Sequence, residues 1–391
     1  MFSVGLLTYS TKPRGSVVHA AYLAEALTRL GIDTTLYALS KAGDGFFREL
    51  SCKLQLLPAG PAPTETQALI RQRIEEMARG LGALGKRGAV YHAEDCLSAN
   101  GMTAAESALR PALVVRTVHH VERFEDPYLA ACQRRSVLEA ERLFVVSRLT
   151  EREVLAEYAR RSVVVTNGVD LARFAEHEPK TNAAVRRRLG LSERDLLVLS
   201  IGGVEPRKNT LAALEAVARV HVAHPDLVWV IAGGASIWDH SAETRAFSRR
   251  LSELSPELGR RVVQLGTIDD GELSSLYRAA DVLLCPSRQE GFGLCVLEAL
   301  AAHTAVVVSD REPFVDWLDS TSARFVDPDS IDSIAAGLLE MVRDHSARER
   351  LALSGYAVAE RHSWQRVAEA HITHYERWLE HKQRSRPALH T

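Results

Sequence analysis

Glu290 and Glu298 flank the stretch of this sequence that carries the most chemistry, Pro286-Ser287-Arg288-Gln289-Glu290-Gly291-Phe292-Gly293-Leu294-Cys295-Val296-Leu297-Glu298. One carboxylate precedes a Gly-Phe-Gly turn and the other follows it. Glycines in such a turn let backbone N–H groups approach a ligand, and a helix N-terminus favours an anion. Eight residues along a helix would separate the two acids by ~12 Å, so they are expected to meet different parts of one extended ligand. The flanking pattern positions them. The apolar run Ala280 to Cys285 reads as a buried strand, and Leu294, Val296, Leu297, Ala299, Leu300 and Ala301 read as a helix. In an open α/β sheet this turn lies at the carboxyl end of a strand, where ligands bind. Spacing alone is equally compatible with two solvated, dipole-favoured glutamates near a helix start.

Three further stretches repeat the arrangement. Arg207 and Lys208 end the loop Gly202-Gly203-Val204-Glu205-Pro206, between a strand Leu196 to Ile201 and a helix Leu211 to His221. An arginine fork and a lysine point charge together can hold a diphosphate, although a paired basic loop is often only solvated. The strand Leu113 to Val118 ends in His119-His120, which sets a histidine at the ligand edge of a sheet; a structural histidine bonded to backbone is the alternative. Near the start, Lys12-Pro13-Arg14-Gly15-Ser16 joins a strand, Ser3 to Tyr9, to a helix, Val17 to Leu30. A basic loop at a helix N-terminus outlines an anion site. It lacks GxGxxG, so a nicotinamide dinucleotide is a weak reading.

Glu-Gly-Phe-Gly-Leu with a second Glu eight residues after the first resembles the signature of the retaining, nucleotide-sugar-dependent glycosyltransferases of family 4. The resemblance extends over most of the chain. Thr117-Val118-His119 is similar to the family's Thr-x-His, Lys208 to its basic residue, Glu298 to its ribose-binding glutamate, and Asn167-Gly168-Val169-Asp170 to its link between domains. The chain departs from the family pattern at several points. Ser16 follows Gly15 where Gly-Gly is usual, Gly203 stands where many members have Arg, Thr166 replaces Pro, and His303 and Ala305 replace Gly and Pro.

The resemblance implies an α/β protein of the GT-B fold, two Rossmann-like doubly wound domains facing across a cleft. Residues 1–172 would take the acceptor and 173–365 the donor, while 366–391 would form a C-terminal helix crossing back to the first domain, and a tail. It implies a sugar moved with retention from a nucleoside-diphosphate sugar to an unidentified glycan, lipid or small-molecule acceptor. The catalytic candidates are Glu290, as nucleophile or orienter, and His119. Binding falls to Gly15, Ser16, Arg207, Lys208, Gly291, Phe292, Gly293, Leu294 and Glu298. The cations and N–H groups would stabilise the leaving diphosphate without a metal, and no Asp-x-Asp is placed to bring one. A sugar-nucleotide epimerase of the same architecture and a non-catalytic nucleotide-sugar-binding protein remain open.

Composition bounds these readings. The chain has 391 residues, 46% hydrophobic and 25% charged, with a formal net charge of −2. Two domains are expected, with no drive toward nucleic acid. Five scattered cysteines argue against a disulfide framework and fit a reducing cytoplasm. No apolar run is long enough to cross a membrane, and Met1 to Leu7 reads as a strand rather than a signal peptide. Arg71, Arg73, Arg79, Lys86 and Arg87 along a helix from Gln67 to Leu84 and just beyond it form either a solvated face or a weak peripheral contact with the inner face of a membrane.

Overall fold

A computed structural model describes residues 2–41, 44–85, 88–175, 179–233 and 240–384. Lys86 and Arg87 of the basic face lie outside the described residues. The chain divides into two units, Met1–Gly168 with Trp364–Thr391, and Val169–Ser363.

Among the described residues, the first unit is built on seven strands: β1 (Ser3–Thr8), β2 (Asp33–Lys41), β3 (Lys53–Ala59), β4 (Val90–Ala93), β5 (Leu113–Val118), β6 (Arg142–Val145) and β7 (Val163–Val164). All pair in parallel, in the order β3-β2-β1-β4-β5-β6-β7. The second has six: β8 (Leu196–Ile201), β9 (Leu227–Ala232), β10 (Val262–Gly266), β11 (Val282–Cys285), β12 (Ala305–Ser309) and β13 (Arg324–Val326). These too are parallel, in the order β10-β9-β8-β11-β12-β13.

Helices cover the faces of both sheets, so every residue of β4, β5, β9, β11 and β12 is buried; β9 and β11 are apolar throughout, whereas β4 and β5 bury the polar His92, Arg116 and Thr117. Strand order reverses between β1 and β4 in one sheet and between β8 and β11 in the other. A crevice at the carboxyl ends of the strands opens at such a reversal.

The last helix, Trp364–Arg384, belongs to the first unit. It buries Trp364, Val367, Ala368, His371 and Tyr375, a stripe at helical spacing. Phe144 of β6 receives that stripe, with its ring 4.4 Å from His371 and 4.8 Å from Trp378. No helix among the described residues is long and apolar enough to cross a membrane.

Candidate functional site

The strand-order reversal of the second sheet brings together residues that lie far apart in the sequence. After β8 the chain turns through Gly202 and the short 3-10 turn Pro206–Lys208. Gly202 has φ of 123°, and a Cβ there would come within 3.0 Å of Lys208 Cε. The glycine lets the lysine stem lie across the strand end. Asn209, at φ 59°, then donates from Nδ2 to Pro286 O (3.1 Å) and Pro328 O (2.6 Å), tying this loop to the one after β11. Arg288 N donates to Arg207 O at 2.8 Å, a second tie.

Lys208 Nζ lies 2.6 Å from Glu290 Oε1, and Arg207 Nη1 lies 3.6 Å from Glu290 Oε2. The Lys208 and Glu290 side chains are only 14% and 9% exposed, whereas Arg207 is 45% exposed. Burial works against the Glu290 charge, but Lys208 and Arg207 overcome it and hold the carboxyl below its usual range. Burial opposes the Lys208 charge as well; Glu290 outweighs it, and the ammonium pKa is raised. Buried Glu205, not foreseen from the sequence, lies 2.9 Å from Arg207 Nε and aims the exposed guanidinium.

The Gly-Phe-Gly turn divides its labour. Gly293 adopts φ of 95°, closed to most side chains, and leads into the helix Leu294–Ala301, whose start no side chain caps. Its first N–H groups therefore have no partner within the helix. The Phe292 ring is core, stacked on Trp317 with centroids 4.9 Å apart, so only its backbone is available to a ligand. Because the helix begins at Leu294, Glu290 lies outside it, and the helical ~12 Å separation from Glu298 does not apply. Glu298 is 8% exposed and accepts the Tyr277 hydroxyl at 2.7 Å.

In the first unit, Gly15 and Ser16 open the helix Gly15–Arg29, again without a side-chain cap. A Cβ on Gly15 would meet no protein atom within 4 Å, so packing within the protein does not require glycine there. Arg14 bonds the Tyr9 hydroxyl, and Lys12 pairs with Asp44 at 3.6 Å. His119 follows β5, 15% exposed, with Nε2 3.1 Å from Glu94 Oε2. His120 pairs with Glu122 instead. Arg73 leaves the expected basic face: it is 6% exposed, bonded to Glu76 and Gly60 O. The five cysteines are free thiols. Among the described residues, no group of three or more His, Cys, Asp or Glu side chains is placed to hold a metal ion.

Residues 13–173 match the family described as Glycosyltransferase Family 4, and residues 182–358 match Glycosyl transferases group 1. The chain belongs to glycosyltransferase family 4. Among relatives, a D-inositol 3-phosphate glycosyltransferase of Salinispora arenicola is 32% identical over 288 residues, 67% of this chain and 63% of that protein. A phosphatidyl-myo-inositol mannosyltransferase of Mycolicibacterium smegmatis is 30% identical over 234 residues, 59% and 56%. The aligned regions thus span less than two thirds of these relatives. A crystal structure of Anabaena Alr3699/HepE in complex with UDP-glucose superposes with a TM-score of 0.77 at 16% identity, over 95% of this chain and 100% of that one. That likeness shows the GT-B fold.

Within this family 4 chain, the sequence pairs Arg207 with Lys208 and singles out Glu290, but does not reveal the ion pairs that join them. Nor does it single out Glu205, Asn209 or Glu94. Asn209 carried a signal in its type, since Asn tolerates the left-handed conformation; a buried Glu94 carries none. Glu298 has one oxygen on Tyr277, so its replacement has two consequences. If Glu298 holds the donor ribose, as the family resemblance implies, Glu298→Ala should raise the donor KM by about 10-fold with a smaller fall in kcat, the pattern of uniform binding. The stranded Tyr277 hydroxyl should cost about 1–3 kcal/mol of stability. Steady-state kinetics and a thermal melt measure both, and a fall confined to kcat would remove Glu298 from ribose binding.

Proposed function

We propose that this protein is a retaining glycosyltransferase that moves a sugar from a nucleoside-diphosphate sugar, bound by the second unit, to an acceptor hydroxyl bound by the first. The observation that carries the reading is the juxtaposition of Lys208, Arg207 and Glu290 at the strand-order reversal of the second sheet, beside an uncapped helix start. The leaving diphosphate gains negative charge as its bond to the sugar C1 breaks. A buried ammonium, an exposed guanidinium held by Glu205 and the N–H groups at Leu294 offer preorganised positive charge to it. Glu290, kept ionised by its cations, faces the positive charge that develops on the sugar.

The acceptor oxygen bonds C1 on the face the diphosphate leaves. Its proton passes to the departing phosphate oxygen, so retention needs no covalent sugar–enzyme intermediate. His119 orients the sugar or the acceptor. The named acceptors of the relatives, an inositol phosphate and a phosphatidylinositol, support testing both a small polyol phosphate and a lipid-linked acceptor.

The test is a panel of UDP-, ADP- and GDP-sugars screened by thermal shift, then assayed for transfer to inositol phosphates and to phosphatidylinositol vesicles. A true donor at 100 times its Kd should stabilise the protein by about 2.7 kcal/mol. A panel in which no sugar nucleotide shifts the melting point overturns the reading. Conversion of donor to an epimer without acceptor replaces it with the epimerase reading.

A further inference from the structure

The unit that carries His119 holds a buried carboxylate that the reaction outlined above does not use. Glu94 follows β4; its N–H donates to Leu7 O at 3.0 Å, and its side chain is 0% exposed. Three imidazoles converge on it from three elements: His119 Nε2 at 3.1 Å, His92 Nε2 at 3.5 Å and His19 Nε2 at 3.7 Å. Only one of them hydrogen-bonds to it. His92 is engaged elsewhere, by the Tyr375 hydroxyl on Nδ1 (2.6 Å) and the Thr117 hydroxyl on Nε2 (2.7 Å). His19 is held through Nδ1 by Asn167 Oδ1 at 2.8 Å, and its Nε2 is beyond hydrogen-bond reach of Glu94. Glu94 is thus directed at His119, the most exposed of the three rings.

We propose that Glu94 is a positioning residue for His119: its carboxylate accepts the Nε2–H of the ring, selecting the tautomer in which Nδ1 is an unprotonated acceptor. The proposal rests on the glycosyl-transfer reading of His119. Burial, then His120 and Arg116, push the His119 pKa down to about 3, so the ring is neutral at working pH. A neutral imidazole carries one proton on one of two nitrogens, and the partner of one nitrogen decides the character of the other. With Nε2–H given to Glu94, Nδ1 can only accept, which suits a sugar or acceptor hydroxyl and rejects a carbonyl.

The same geometry sets a pH dependence. Burial drives the Glu94 pKa up to about 7; Asp95 adds to this, while His19 and the Thr117 hydroxyl oppose it. The groups that face the cluster are His19 from the helix Gly15–Arg29, His92 and Asp95 around the end of β4, Arg116 and His120 around the end of β5, and His371 and Tyr375 from the last helix. His19 and His371 are pushed down to about 4 and 3, and the Tyr375 hydroxyl well up. None of these three changes charge near neutrality. Below pH 7 Glu94 takes up a proton, becomes a donor to Nε2, and the His119 proton moves to Nδ1.

The experiment is nitrogen NMR of histidine-labelled full-length protein, with the His119 signals identified by their loss in His119→Asn. Expected is an Nε2–H tautomer at pH 8 that converts toward Nδ1–H by pH 6, with the conversion absent in Glu94→Gln. An Nδ1–H tautomer in the unaltered protein at pH 8 overturns the proposal, and so does a conversion that persists in Glu94→Gln. Neither readout requires turnover, so failure of the proposal and failure of the glycosyl-transfer reading are separately visible. Where a donor is found, Glu94→Gln should lower kcat by up to about 100-fold, the cost of a misplaced group near the chemistry, leave the donor KM nearly unchanged, and abolish the acid limb of kcat near pH 7.

Discussion

Lys208→Ala is expected to weaken nucleoside diphosphate binding by about 10- to 100-fold, the worth of one charge-assisted hydrogen bond of roughly 1.5–3 kcal/mol. The same change should destabilise the second unit. Its Nζ lies 2.6 Å from Glu290 and both side chains are largely buried, so truncation leaves a carboxylate without its main counter-charge. Removing one member of a buried pair costs about 3–5 kcal/mol. Arg207, 3.6 Å away, softens the loss, and the expectation lies near the lower end of that range. Lys208→Met combined with Glu290→Leu should recover stability but not binding. Titration calorimetry with UDP, ADP and GDP, paired with denaturant melts, separates the two effects. Native affinity in Lys208→Ala would remove the lysine from the diphosphate site.

The pH sign follows from the same pair. Glu290 has a folded pKa held below its unfolded value near 4.3. Its contribution is complete above that unfolded value and is lost as pH falls through the lowered one. Lys208, raised in the fold, contributes fully below its unfolded value near 10.4 and loses that contribution as pH rises through the raised one. The alanine variant should therefore lose less stability on acidification than the native protein does, because it no longer has this pair to lose.

The second large effect is expected at Gly293. In Gly293→Ala the new Cβ would lie 2.3 Å from Cε1 of Phe314, a ring with 0% exposure that cannot swing out into solvent. Overpacking of this kind costs about 1–3 kcal/mol, and the left-handed backbone adds roughly 1–2 kcal/mol for a side chain. The helix start must then move, and the N–H groups proposed to meet the diphosphate move with it. A loss of about 2–5 kcal/mol in stability, with diphosphate affinity reduced in the same variant, is the expected outcome. Gly15→Ala is the control: nothing lies within 4 Å of its Cβ, and a change within about 0.5 kcal/mol is expected. Equal, small effects at both positions would mean that the Gly-Phe-Gly turn tolerates relaxation and does not set the helix start.

Much of this protein was legible in one dimension. The apolar runs Leu196 to Ile201 and Ala280 to Cys285, which end at Gly202 and Pro286, became parallel strands, because a strand covered by helices on both faces is mostly apolar. The family signature at Glu290 to Glu298 was equally local, since a tight left-handed turn admits few residues and a helix start follows at once. What the linear order could not contain is which strand lies beside which. The pairing of Lys208 with Glu290 joins residues 82 positions apart, and it exists only because β8 and β11 are neighbours. The His92–Tyr375 bond spans 283 positions and depends on the last helix packing on the first sheet. Glu94, read along the chain, is a polar residue after a strand; burial among three imidazoles turns it into a proton acceptor. Periodicity reports which face of an element is dry, whereas the electrostatics of a site depend on which dry faces meet, and tertiary packing alone decides that.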